Sequence, residues 1–141
     1  MKIYDADQVV VMIAGLLIDS GFADGEFCAV EQESNDFDDV VGTDGEVVRS
    51  KTNDKRATCR VVLMQTSQGN SLLSTLNNLD VNSPNGLGVG PFLVQDVQGT
   101  TLYTGDACWI AKPPDASFDR GATAREWTVR VANLKRFDGN N

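Results

Sequence analysis

The residues able to do chemistry in this 141-residue chain are few and poorly spaced for it. Histidine is absent, so no Ser–His or Cys–His pair can activate a nucleophile. Cysteines stand only at Cys28, Cys59 and Cys108, odd in number and with no C-x-x-C pair. A zinc site wants closer spacing or histidine, so the pattern predicts reduced, buried thiols of a protein that folds in a reducing compartment. Glu31 and Glu33 lie two apart on an expected strand and share one face. Glycosidase carboxylates instead flank a cleft, and no second acid is placed for that. Asp36, Asp38, Asp39 and Asp44 miss the EF-hand spacing and lack its closing bidentate Glu, which favours a solvated acidic face. Gly86-Leu-Gly88-Val-Gly90 departs from GxGxxG, and Pro91 follows where a helix should open; it reads as a loop. Lysine or carboxylate chemistry stays open in principle, but no motif points to it. The expectation is a protein that is not an enzyme and needs no cofactor or metal.

Charge is the more informative feature. The chain carries a formal charge of −8 with a pI near 4.3, which disfavours tight binding to nucleic acid or to an anionic membrane surface. The charge is unevenly spread. Residues 1–46 hold twelve acids and one base, residues 47–60 five bases and one acid, and residues 61–141 six bases and seven acids. The basic block is Arg49, Lys51, Lys55, Arg56 and Arg60. Two readings stand beside each other: neutralisation within the chain, as between Asp38 and Lys51, or a basic arm that meets an acidic face of the next copy. The start of the chain does not read as a signal peptide, because Asp5 and Asp7 occupy the place of a positive n-region. The apolar run at residues 9–18 is too short to span a bilayer as a helix.

These side chains must be positioned by strands. A length of 141 residues suits one domain, residues 1–141, able to bury roughly two-thirds of its unfolded surface. Residues 9–13 are β-branched and apolar and predict a buried strand. Ala14-Gly15 can turn the chain into a short second strand over residues 16–19, though Ala is a poor residue for primed hairpin turns. Residues 27–33 predict a third strand, with Cys28 and Val30 on one face. Asp44-Gly45 predicts a two-residue hairpin turn, which would set Val41 opposite Val48, Val40 opposite Arg49 and Asp38 opposite Lys51. Neither face of that hairpin is consistently apolar, so it is expected to project.

Residues 56–65 alternate cleanly, with Cys59, Val61 and Leu63 on one face. Ser67 can cap a following helix whose Leu72, Leu73, Leu76 and Leu79 form one stripe. Residues 82–90 read as loop, residues 92–95 and 102–111 as strands, and residues 125–137 as one long strand with Trp127, Val129 and Val131 facing in. Trp109 and Trp127 both read as core.

Several segments in order then carry a resemblance. They are Gly21-Phe-Ala-Asp-Gly25, Val40-Val-Gly-Thr-Asp-Gly-Glu-Val-Val-Arg-Ser50, and Gln65-Thr-Ser67 with the Leu-rich helix ending Asn78-Leu-Asp80. Trp109-Ile-Ala-Lys-Pro-Pro-Asp115 and Arg125-Glu-Trp127 complete the series. Together they resemble the tail tube subunits of contractile-tailed bacteriophages, a family of virion structural proteins. The resemblance covers most of the chain, and no single motif in it is diagnostic. It implies a mainly β (α+β) fold, an antiparallel β-barrel or sandwich with one short flanking helix and a projecting hairpin. It further implies hexameric rings that stack into a tube, with tail sheath protein outside, and DNA and tape-measure protein in the lumen without tight binding. Baseplate and terminator proteins would meet the tube ends. The place implied is the virion tail, assembled in the host bacterial cytoplasm, with genome ejection through the tube. The expected assembly surface is Asp38, Val40, Val41, Asp44, Gly45, Glu46, Val47, Val48, Arg49, Lys51, Lys55 and Arg56. The expected lumen candidates are Glu31, Glu33, Glu126 and Thr128. Alternatives are a baseplate or tail-terminator component of related fold, and a stand-alone β-sandwich binding module.

Overall fold

The computed structural model describes residues 1–140. Ten strands and one helix follow in the order β1 (Val9–Ile13), β2 (Leu16–Ile18), β3 (Cys28–Gln32), β4 (Phe37–Val41), β5 (Val47–Lys51) and β6 (Ala57–Met64). Then come α1 (Gln68–Asn82), β7 (Gly90–Asp96), β8 (Leu102–Lys112), β9 (Ala124–Val131) and β10 (Leu134–Phe137). Eight strands make one antiparallel sheet in the order β2-β1-β7-β8-β9-β6-β3, with β10 also on β8, while β4 and β5 pair only with each other. One core, including Val11, Ile13, Phe92, Cys108, Trp127, Val129, Cys59 and Val61, is drawn from strands across the whole sheet. A sheet whose far strands share one core must curl. Its end strands β2 and β3 share no ladder. Just beyond β2, however, Phe22 bridges to Leu63 of β6, and Met64 N donates to Gly21 O at 2.7 Å. The two edges are thus drawn together without closing a continuous barrel ladder.

The Ala14-Gly15 turn forms between β1 and β2. Both residues take left-handed backbone, φ 52° and 85°, at a cost for Ala of roughly 1–2 kcal/mol. Packing offsets it: Ala14 N donates to Cys108 Sγ at 3.2 Å and Gly15 N to Pro91 O at 3.3 Å. A Cβ on Gly90 would sit 2.7 Å from the Ala14 carbonyl carbon, so β7 can start this close to the turn only with glycine there.

Four expectations need correction. The hairpin turn is longer than two residues: Val41 pairs with Val47, Val40 with Val48, Asp39 with Arg49, Asp38 with Ser50 and Phe37 with Lys51. Gly42 N donates to Glu46 O and Gly45 N to Gly42 O, with Gly45 at φ 88°. A turn that ends on a left-handed glycine adds one residue and shifts the register by one. The expected Asp38–Lys51 pairing is therefore absent.

The second correction concerns α1. Ser67 caps it through Gly69 N, and Leu73 is buried with Leu76 packed against the core. Leu72 and Leu79, however, are 45 % and 50 % exposed. The helix meets the sheet along a narrow stripe beginning at Gly69, where a Cβ would lie 3.0 Å from the Leu63 side chain and 3.4 Å from that of Ile18.

Third, Trp109 is only half-buried, because Cys108 and Ile110 take the inward positions of β8 and successive side chains alternate. Trp127 is buried and its indole N–H donates to Asn70 Oδ1 at 2.9 Å.

Fourth, the last strand is two strands. They keep a single register along β8, from Val131 opposite Cys108 to Leu134 opposite Gly105. The chain bends at Ala132 and Asn133, where Leu134 N turns to Lys55 O at 2.9 Å.

Candidate functional site: a projecting arm and a charged sheet face

β3 and β6 form a hairpin whose inner half is pinned in the main sheet. The pairing runs from Cys28 opposite Val61 to Gln32 opposite Ala57 and is extended by Glu33 N to Arg56 O at 3.1 Å. Beyond this the two chains loosen, then re-pair as β4 and β5, where Thr52 N donates to Asp36 O at 2.9 Å. The arm is therefore the outer half of one long hairpin. Five residues per strand extend about 17 Å.

The junction is held by polar contacts. Lys55 Nζ lies 3.0 Å from Asp36, Arg56 grips Asp54 with two nitrogens at 2.9 and 3.0 Å, and Ser34 Oγ donates to Asp54 at 2.8 Å. Hydrogen bonds from Lys55 and Gln32 hold the Asp36 carboxyl below its ordinary range. Arg56 and Ser34 hold Asp54 well below it.

The arm itself is exposed at every strand position. Val40, Val41, Val47 and Val48 are between 57 % and 68 % exposed, and the corrected register stacks them as two cross-strand pairs at the tip. Asp44 Oδ1 accepts from Glu46 N at 3.1 Å and closes the turn. The Arg49 guanidinium lies 4.3 Å from the centre of the Phe37 ring. Of the predicted basic block, Lys55 and Arg56 are paired at the junction and Arg60 lies in the main sheet, bonded to Glu31. Neutralisation within the chain thus accounts for those three. Arg49 and Lys51, on the arm, belong to none of the ion pairs among the described residues.

The four residues expected to line a conduit fall together on the outward face of β3, β6 and β9. Glu31 lies 3.5 Å from Arg60, Glu126 3.9 Å from the same Arg60, and Glu33 3.4 Å from Arg130. Thr58 Oγ1 donates to Glu33, and Thr128 stands opposite Arg60 in the ladder. The face is an interleaved ladder of carboxylates and guanidinium groups, less acidic than the carboxylates alone suggested. Asp36, Asp38, Asp39 and Asp44 do not converge, and among the described residues no acid, Cys or His cluster is arranged to hold a metal ion. Cys59 and Cys108 are buried free thiols. The hydrogen bond to Cys28 and then burial raise Cys59, and burial raises Cys108. Cys28 is half-buried, its sulfur 3.9 Å from that of Cys59.

The sequence reading missed the burial of one side chain. Arg125 shares the inward parity of Trp127 on β9 and is 8 % exposed. A charged residue in step with buried neighbours was the available signal.

Among the described residues no helix is long and apolar enough to cross a membrane. A search of curated proteins matches "Structural protein ORF10" of Pseudomonas phage KPP10, 29 % identical over 122 residues, covering 86 % of this chain and 70 % of that protein. Among solved structures, the tube-terminating cap of the anti-feeding prophage shares the fold, with a TM-score of 0.59 at 5 % identity over 97 % of this chain and 92 % of the cap. The profile of the Bacteriophage PhiTE tail tube protein family matches residues 14–139, and the chain belongs to that family.

Proposed function

We propose that this protein is the subunit of a phage tail tube, forming hexameric rings that stack around a conduit for the genome. The observation that carries the reading is the arm. Four exposed valines on a two-stranded ribbon are unstable in water alone and mark a contact surface. Their register, turn and junction are nevertheless well defined. Such an arm is suited to docking on another copy through a head-to-tail contact, which closes into rings or runs on as a filament. The unpaired edges of β2 and β3 are the other surfaces that neighbouring copies would cover. The ladder of Glu31, Glu33, Glu126 and Thr128 is then the lumen-facing surface, where neutralised carboxylates give DNA no strong hold. Sheath protein outside, tape-measure protein within, and baseplate and terminator proteins at the ends are the corresponding partners, in a virion tail assembled in the bacterial cytoplasm.

Cryo-electron microscopy of concentrated protein tests this, with stacked six-fold rings as the expected result. A monodisperse monomer or a closed two-fold dimer at every concentration would overturn it. The likeness in fold to the anti-feeding prophage cap favours a second reading, a terminator, which would form single rings that do not stack.

A further inference from the structure

Arg125 is buried without an acid. Its guanidinium donates to three neutral oxygens: Thr123 Oγ1, Ala124 O at 3.3 Å and Ser117 O at 2.9 Å. None of the ion pairs among the described residues includes it. It lines a cleft of about 440 Å³ between α1 and the loop after β8, together with Asn70, Pro113, Pro114, Phe118 and Trp127. Phe118 stands over the guanidinium at 5.5 Å and is 82 % exposed, a large ring left at the mouth. The loop is fixed: Thr123 N and Oγ1 both donate to Gln65 Oε1 at 3.1 and 3.3 Å. The result is a preformed cleft in which a cation lies among the apolar Pro113, Pro114, Phe118 and Trp127 and the neutral polar Gln65, Asn70 and Ser74. A cation with few solvent contacts and no counter-ion is costly, and a carboxylate delivered beside the prolines and Phe118 would relieve that cost through charge-assisted hydrogen bonds.

The hairpin tip has the complementary chemistry. Glu46 is exposed, belongs to no ion pair among the described residues, and sits on the ribbon between the turn and Val47-Val48. Its own carboxylate is free, whereas Asp44 is engaged in closing the turn. Among the described residues the arm makes no substantial contact with any other element of its own chain. We propose that the Arg125 cleft is the receptor for the hairpin tip of a second copy, with Glu46 meeting Arg125 and the valines packing on Phe118 and Pro113-Pro114. This rests on the reading that copies assemble through the arm, and it supplies the surface that reading leaves unnamed.

The test is a photo-activated cross-linking residue at Thr43, in the turn, within assembled protein mixed from ¹⁴N- and ¹⁵N-labelled copies. The expected result is cross-links between differently labelled copies that map to residues 113–127. Cross-links between copies that map elsewhere would overturn the cleft while keeping the arm. Assembled particles with no cross-link between copies would overturn both. As Arg125→Gln can loosen the loop, the charge is tested from the exposed side. Glu46→Arg should fold normally and raise the concentration needed for assembly by at least about tenfold, and Glu46→Asp should assemble near the wild-type threshold. An unchanged threshold for Glu46→Arg would remove the carboxylate from the contact.

Discussion

Asn70 joins three parts of the molecule with one amide. Its oxygen accepts the Trp127 indole N–H at 2.9 Å and its nitrogen donates to Met64 O at 2.8 Å, so the first turn of α1 is tied to β9 and β6. Replacing it with Leu keeps the volume and leaves the Trp127 indole N–H without an acceptor, while Met64 O keeps Ser67 N at 2.9 Å. A buried donor so orphaned costs about 1–3 kcal/mol. Asn70→Leu should therefore lower the urea midpoint clearly with little change in slope, while Ser74→Ala, at an exposed position one turn further along α1, should stay within about 0.5 kcal/mol. Equal effects of the two would show that the Asn70 contacts carry no special weight. The same residue explains why Trp127 can be buried at all, since an indole N–H wants a partner.

At the scale of elements the arm is the weak unit, and two changes should affect it before they affect the domain. Gly45 ends its turn at φ 88°, where a β-branched residue is strongly disfavoured. Gly45→Val should release amide protection over residues 37–51 in hydrogen exchange while the thermal midpoint of the main sheet stays put. Loss of the whole domain's cooperative unfolding would mean that the arm is part of the core's stability. The second change is acid. Asp36 and Asp54 both have carboxyls held below the usual range by Lys55 and Arg56. A depressed folded pKa contributes stability that is present above the unfolded value near 4 and is lost as pH falls through the folded one. The junction should thus be intact at pH 5 and above and loosen as pH drops below about 4, with residues 33–36 and 52–56 losing exchange protection before the β6–β9 ladder. Protection that is flat from pH 5 to 2 would remove those ion pairs from the arm's support.

The whole molecule adds a constraint that no single element shows. Glu31 and Glu126 flank Arg60 on the outward face of the sheet. Exposed pairs of this kind contribute only about 0–1 kcal/mol each, so folding should tolerate their reversal. Glu31→Lys with Glu126→Lys would place three cations together on that face. If the face lines the conduit, tubes should still assemble, and genome release should slow several-fold at low salt, recovering as salt rises because the new attraction is to phosphate. Loss of assembly in place of slowed release would put this face between copies and reassign the lumen.

The sequence by itself determined β6 and the first part of β9, because period-two patterning against a core is a local signal, and β1 and β7, whose short apolar runs are a local signal too. It also determined the Ser67 cap, the exposure of the arm and the lack of a Ser–His or Cys–His pair, the last from the absence of a single residue type. Tertiary structure decided the rest. The arm's register depended on which residue took the left-handed position, a choice that Asp44-Gly45 leaves open between a two-residue turn and a longer one. The exposure of Leu72 and Leu79 depended on how narrow a stripe of α1 the sheet could accept. The bend at Ala132-Asn133 depended on Lys55 O, which is distant in sequence and offers Leu134 N a partner. The gathering of Glu31, Glu33, Glu126 and Thr128 onto one face required β6 to lie between β3 and β9. Strand order comes from packing the whole sheet round one core, and no local pattern of residues encodes it.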